Sequence, residues 1–281
     1  MAILKPADIA TAAVDSGTAK AHERWDKTLV AAFLAGAYIA FGALVALVTS
    51  AGLNPMQWGG IPTLITGVTF SLGLVLVLIA GSDLLTGNML LVPISFLARK
   101  LGFGAIIRNF SLVLIGNLAG ALFVAYFLAV QTGVVGHGGT AGMGGLTYER
   151  LAGIAVSKGV TETDWQVFLR GVGCNWLVCL AVWIALAADS VSSKILGILF
   201  PITAFVAMGF DHVVANMFFL PAAVFADVPG LGWGDVVRNL VFAFLGNLVG
   251  AVVFVATTYW YLYLREDSSA ELKPGAVRSR V

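Results

Sequence analysis

The sequence predicts an all-α membrane protein of six transmembrane helices, built as two inverted three-helix repeats with one broken helix in each. Three observations carry this: long apolar runs without charge, a composition unlike any soluble surface, and a chain that repeats itself. The 281 residues are 59% hydrophobic and only 11% charged, with mean hydropathy +0.94. From residue 28 to 82, 55 consecutive residues hold no Asp, Glu, Lys or Arg, enough for two crossings at roughly 20 residues each. A net charge of +1 gives no concentrated basic surface and sets nucleic-acid binding aside. Period-two alternation is absent and the runs are too long for barrel strands, which excludes a β-barrel.

Six charge-free apolar runs define the crossings: Leu29–Thr49, Ile61–Ser82, Phe110–Val130, Gly171–Ala188, Ile195–Gly209 and Asn239–Leu264. The channel domain therefore occupies residues 28–264, with repeat one over about 28–131 and repeat two over about 165–264. Residues 1–27 precede it as an N-terminal segment, read either as an amphipathic helix on the membrane surface or as a solvated tail. A C-terminal tail, 265–281, follows. Lacking a short apolar core with a small-residue cleavage site, the N-terminus does not read as a cleaved signal. Glycine, 33 residues, suits helices whose backbones approach closely in lipid.

An even number of crossings puts both termini on one side. Twelve Lys and Arg residues then fall on that side and four (Arg150, Lys158, Arg170 and Arg238) on the other, which predicts cytoplasmic termini. Tyr259, Trp260, Tyr261 and Tyr263 ahead of Arg265 read as an interfacial aromatic belt. Cys174 and Cys179, five positions apart in an apolar run, lie on different helix faces and read as packing residues.

Self-comparison exposes the repeat. Gly81, Asp83, Asn88, Met89 and Pro93 recur 128 positions later as Gly209, Asp211, Asn216, Met217 and Pro221. Arg108-Asn109 with Gly116-Asn117-Leu118 and Gly120-Ala121 recurs 130 positions later as Arg238-Asn239 with Gly246-Asn247-Leu248 and Gly250-Ala251. Phe33-Leu34 with Gly36 matches Phe168-Leu169 with Gly171. Three helices per half is an odd number, so the second half enters the membrane from the opposite face. Gly81–Asn88 and Gly209–Asn216 interrupt an apolar segment at equivalent places, leaving short continuations Met89–Ala98 and Met217–Phe225. Such breaks mark permeation sites, because irregular backbone at that depth survives only inside protein or along a cavity.

The site residues follow from these breaks. Asn88 and Asn216 stand where each continuation begins, positioned to cap its orphan N–H groups. Both half-helix dipoles then turn their positive ends toward the midplane and favour an anion. His212 is the only histidine in a predicted membrane segment, and its counterpart is Leu84; an ionisable group at that depth marks a functional site, and imidazole donates a hydrogen bond or exchanges a proton near neutrality. Thr86 beside Gly87 offers a hydroxyl on a flexible break. The recurring acids Asp83 and Asp211 read as structural braces. Lys158, on the outer side, reads by itself as a solvated loop lysine, or else as a source of positive potential at a pore mouth.

Together these segments resemble the formate/nitrite transporter family. The likeness runs from about Trp25 to Glu266 through Phe70-Ser71-Leu72-Gly73-Leu74, Gly81–Asn88, Arg108-Asn109, Asn175 with Val178-Cys179-Leu180-Ala181-Val182-Trp183, Gly209–Asn216 and Thr258-Tyr259-Trp260. The resemblance implies an aquaporin-like protomer, five of which form a ring in the plasma (inner) membrane, each with its own pore for small monovalent anions such as formate, nitrite, hydrosulfide, acetate or lactate. It implies no enzyme, cofactor or metal. On this likeness His212 is the central pore histidine, Thr86 the loop threonine, Asn175 the polar residue beside the histidine and Lys158 the vestibule lysine. Phe70, Leu74 and Phe205 are the apolar constrictions, and Asp211 stands where Glu is usual. Formate is the preferred anion, from the likeness of Gly81–Asn88 to formate-type members.

The expected mechanism has Lys158 and the dipoles concentrate the anion, and His212 donate a hydrogen bond or proton so that a largely neutral acid crosses the apolar rings. Neutralisation removes a desolvation cost of several kcal/mol or more. Two competing classes are weaker. A water or glycerol channel of the same architecture lacks its Asn-Pro-Ala pair, since Met89 and Met217 follow the two Asn residues. A membrane enzyme or redox subunit needs more ionisable groups than one membrane histidine.

Overall fold

The computed structural model describes residues 4–265, so the C-terminal tail, apart from Arg265, lies outside the described residues. The chain forms α1 (Pro6–His22), α2 (Trp25–Ser50), α3 (Ile61–Gly81), α4 (Leu85–Leu97), α5 (Phe103–Val130), α6 (Gly142–Val156), α7 (Asp164–Ala187), α8 (Val191–Ala207), α9 (Val213–Phe225) and α10 (Trp233–Tyr263). Among the described residues, α2, α3, α5, α7 and α10 are long and apolar enough to cross a membrane. The fifth predicted run, Ile195–Gly209, overlaps α8, which at 17 residues is shorter. No strand occurs among the described residues.

Local signals account for the helix starts. Pro6 begins α1 at the position where its missing N–H costs nothing. Thr163 and Gln166 form a capping box ahead of α7, and Ser190 accepts from Ser193 N to start α8.

Close helix packing comes from glycine, as lipid gives helices no hydrophobic reason to associate and small residues let dispersion act instead. A Cβ on Gly36 of α2 would sit 2.0 Å from Asn117 O of α5, and one on Gly120 of α5 would sit 2.0 Å from Phe33 O of α2. The same arrangement joins α7 to α10: a Cβ on Gly246 would lie 2.1 Å from Phe168 O, and one on Gly250 2.3 Å from Val172 O. These glycines are the ones the self-comparison aligned.

The N-terminal segment is not a solvated tail: α1 is helical and docks on α4. Ile9, Ala10, Ala13, Val14, Gly17 and Ala21 form its buried face. A Cβ on Gly17 would stand 1.8 Å from Leu91 O, and Ser95 Oγ donates to Val14 O at 2.7 Å. Alanine and glycine spacing, which gives little hydrophobic contrast in sequence, is what allows this approach.

Both breaks exist and are shorter than expected. A π-helical turn, Val77–Gly81, ends α3; Gly81 then takes φ 83°, a left-handed conformation suited to glycine, and α4 starts at Leu85, not Met89. After α8, Gly209 takes φ 70° and α9 starts at Val213, not Met217. The side chains from Leu85 to Ser95 and from Val213 to Ala223 are all buried, and the irregular backbone ahead of them is either buried or lines a cavity.

Candidate functional site

The N-termini of the two half-helices α4 and α9 meet through one side-chain contact: Thr86 Oγ1 lies 2.9 Å from His212 Nε2. His212 is the N-cap of α9, and its Nδ1 accepts from Ala215 N at 3.0 Å. With Nδ1 accepting, the neutral ring carries its proton on Nε2 and donates it to Thr86 Oγ1. Thr86 keeps its own hydroxyl proton to donate onward. The residue is buried in the first turn of α4, so the expected placement on a break made flexible by Gly87 is corrected: the left-handed glycine is Gly81. Asn175 joins His212 through Thr86, donating from Nδ2 to Thr86 O at 3.3 Å and to Asn247 O at 2.9 Å. Cys179 Sγ lies 3.7 Å from the same Thr86 carbonyl; both cysteines are buried and free.

The expected capping by Asn88 and Asn216 is also corrected. Asn117 Oδ1 accepts from Leu85 N at 2.9 Å, and Asn247 Oδ1 accepts from Val213 N at 2.9 Å. Each of these amides also donates into the break, Asn117 to Asp83 O at 2.9 Å and Asn247 to Asp211 O at 2.7 Å. Asn88 and Asn216, a turn further along, point elsewhere. Asn216 Nδ2 donates to Asp211 Oδ1 and to Asn239 Oδ1, both at 2.8 Å, while Asn88 Nδ2 donates to Asn109 Oδ1 at 3.0 Å and reaches Asp83 Oδ1 at 3.5 Å. Because the caps on Leu85 N and Val213 N come from α5 and α10, they could not be read from the local sequence of the half-helices; Asn117 and Asn247 were visible only as a recurring pair.

A lysine meets each acid. Lys158 Nζ donates to Asp211 Oδ1 at 2.9 Å and to Phe210 O at 3.2 Å, so it is a half-buried ion-pair partner and not a solvated loop lysine. Lys20 of α1 pairs with Asp83. Asn239 Nδ2 donates to Lys158 O at 3.0 Å, and Asn109 Nδ2 to Lys20 O at 3.3 Å. Lys20, Asn109 and Asn239 were absent from the sequence-derived site. The recurrence of Arg108-Asn109 as Arg238-Asn239 was the available signal for the asparagines; nothing local singles out Lys20.

A cavity opens at each break. One, of about 370 Å³, is lined by Lys158, His212, Phe70, Phe205, Arg150 and Glu162 among others. The other, of about 400 Å³, is lined by Lys20, Asp83, Ser82 and Lys194 among others. They share no lining residue. Phe70 and Phe205 meet edge to face with centroids 5.9 Å apart, and Phe205 stacks over the His212 ring at 5.9 Å. Leu74 is buried and lines neither cavity.

The first cavity contains a charge cluster that sequence reasoning missed. Glu162, 5% exposed, pairs with Arg170 and accepts from Ser157 Oγ at 3.2 Å. Burial, and after it the carboxylate of Asp211, raise Glu162 to about 7. Burial also draws the Arg150 guanidinium below its usual range; it donates to Ser50 Oγ at 3.0 Å and Thr66 Oγ1 at 3.1 Å.

An all-helical membrane protein whose paired half-helices abut at a histidine, with a lysine-bearing cavity at each break, has the build of a channel or transporter. Sequence comparison assigns the family. The formate/nitrite transporter profile matches residues 7–261, and the chain belongs to that family, which consists of transporters and not enzymes. A relative in Methanothermobacter thermautotrophicus described as "Probable formate transporter" is 44% identical, over 93% of this chain and 97% of that one. Two solved structures share the fold. One, an "FNT family ion channel", has a TM-score of 0.82 at 28% identity and covers 91% of this chain and 98% of its own. The other, a "Pentameric formate channel with formate bound", has a TM-score of 0.74 at 30% identity and covers 86% and 98%.

Proposed function

We propose that this protein conducts small monovalent anions, formate first, through a pore that crosses the Thr86–His212 contact, and that each anion passes as a largely neutral acid with a proton supplied or polarised at His212. Nitrite, hydrosulfide, acetate and lactate are secondary substrates of the same path. The observation that carries the reading is the contact itself: an imidazole N–H at the abutting positive ends of two half-helices, whose breaks each line a cavity that holds a lysine. A formate relative and a formate-bound structural neighbour support the substrate.

Lys158 and the helix dipoles draw the anion into the first cavity. Phe70, Phe205 and Leu74 then exclude water and bare charge, so the anion is held until its charge is met by a hydrogen bond or proton. Asn175 fixes the Thr86 carbonyl, while Asp83 and Asp211, with Asn88 and Asn216, hold the breaks open. The matching networks around Asp83 and Asp211 support an inverted repeat of aquaporin-like plan, with the repeats over about 28–131 and 165–264 extended by α1 and α6, since Lys20 and Lys158 occupy equivalent places. The pentameric neighbour supports a homopentamer. Charge asymmetry supports a plasma-membrane (inner-membrane) protein with cytoplasmic termini, the Lys158 cavity facing out.

Flux of formate, nitrite, hydrosulfide and glycerol into liposomes containing the full chain tests this. Formate and nitrite entering with acidification of the lumen are expected. Glycerol flux without anion flux would replace the reading with a neutral-solute channel.

A further inference from the structure

Glu162 lines the first cavity, and Asp211 lies buried behind it as the partner of the cavity's Lys158. Asp211 is fully buried and Glu162 5% exposed, and the two carboxyls lie within hydrogen-bonding reach of each other. Their other partners are divided. Asp211 Oδ1 takes Lys158 and Asn216; Glu162 Oε1 takes Arg170 and Ser157. The second oxygen of each, Asp211 Oδ2 and Glu162 Oε2, is buried with no donor. Two neighbouring carboxylates in one buried cluster repel, and a buried acceptor without a donor is costly. One proton placed between them satisfies both.

We propose that Glu162 is a proton-binding residue of this transporter, sharing a proton with Asp211 and thereby setting how strongly the cavity attracts an anion. With the proton bound, one carboxylate is set against Lys158 from the π-helical turn after α6, Arg170 from α7 and Arg150 from α6, and the cavity is cationic. When Glu162 releases the proton to water, its new charge cancels that of Arg170 and the anion's electrostatic attraction falls. The remaining charged or titratable groups around it act elsewhere. Arg238 of α10 bonds the Glu162 main-chain carbonyl and Asp164, Asp235 lies beyond Gly159, and His212 lines the same cavity but is committed to Thr86 and Ala215. The pH range follows from burial and from the Asp211 charge, which bring Glu162 to about 7. Anion uptake therefore falls as pH rises through neutrality.

The inference rests on the anion-transport reading, so its test needs one arm that does not use flux. In liposomes held at a fixed proton gradient, formate uptake by the native chain is expected to drop by about tenfold from about pH 6 to about pH 8, the effect of one pKa unit's worth of interaction. Glu162→Gln, which keeps a neutral group in place, is expected to hold the high rate across that range. A Glu162→Gln profile that falls as the native one does overturns the proposal. Infrared difference spectra of the native protein give the second arm: a protonated carboxyl stretch that titrates near neutrality and is absent in Glu162→Gln. A native spectrum without that band overturns the proposal even where Glu162→Gln fails to assemble. Should formate not cross at any pH while the band titrates, the substrate reading fails and the proton site stands.

Discussion

His212 Nε2 and Thr86 Oγ1 are 2.9 Å apart although 126 positions separate them in the chain. That bond joins the first turn of one half-helix to the cap of the other, so neither half of the sequence builds the site alone. Its direction is fixed by Ala215 N, which occupies Nδ1. Replacing Thr86 by Val removes the acceptor and leaves a buried N–H unpaired, a cost of about 1–3 kcal/mol. Thr86→Val is expected to lower both the melting temperature and formate flux, while Thr86→Ser recovers both. Equal behaviour of Val and Ser variants in a melting and flux comparison would remove the bond from the mechanism.

Lys158 and Asp211 form a pair in which one partner is fully buried. Lys158→Met leaves an uncompensated carboxylate, expected to destabilise the protein by about 3–5 kcal/mol. Adding Asp211→Asn removes the stranded charge while keeping an acceptor for Asn216, so the double variant is expected to melt above the single one. Melting curves of the native, single and double variants check this; a double variant less stable than Lys158→Met contradicts it.

Glycine positions give a contrast that depends on geometry alone. Gly120→Ala would force a Cβ to 2.0 Å from Phe33 O, whereas Gly153 of α6 has nothing within 4 Å of its virtual Cβ. Gly120→Ala is expected to abolish assembly, and Gly153→Ala to leave it intact or raise stability by up to about 1 kcal/mol. Size-exclusion profiles of the two variants, purified side by side, read the difference.

Most of the fold was legible in the sequence because the lipid environment writes it in a coarse code. Charge-free runs located the long helices, and the recurrence of Gly81 with Asp83 as Gly209 with Asp211 located both breaks. The half-helix starts were misplaced by four residues because the caps at Leu85 and Val213 come from Asn117 and Asn247, more than thirty positions away, and capping rules read only neighbours. α1 read as a tail as readily as a helix because its buried face, apart from Ile9 and Val14, is Ala and Gly, which contacts α4 by shape and not by hydrophobic contrast. Glu162 escaped notice for a related reason: one acid in a polar connection between helices looks solvated until Arg170, Ser157 and Asp211 are folded around it.

The sharpest test of the account is simultaneous recording of formate uptake and lumenal pH in liposomes carrying the native chain or His212→Asn. Asparagine retains a good helix cap and cannot exchange a proton, so the variant is expected to assemble but to lose the acidification that accompanies formate in the native protein. Formate entering His212→Asn liposomes with acidification unchanged would contradict the claim that charge is met at this imidazole.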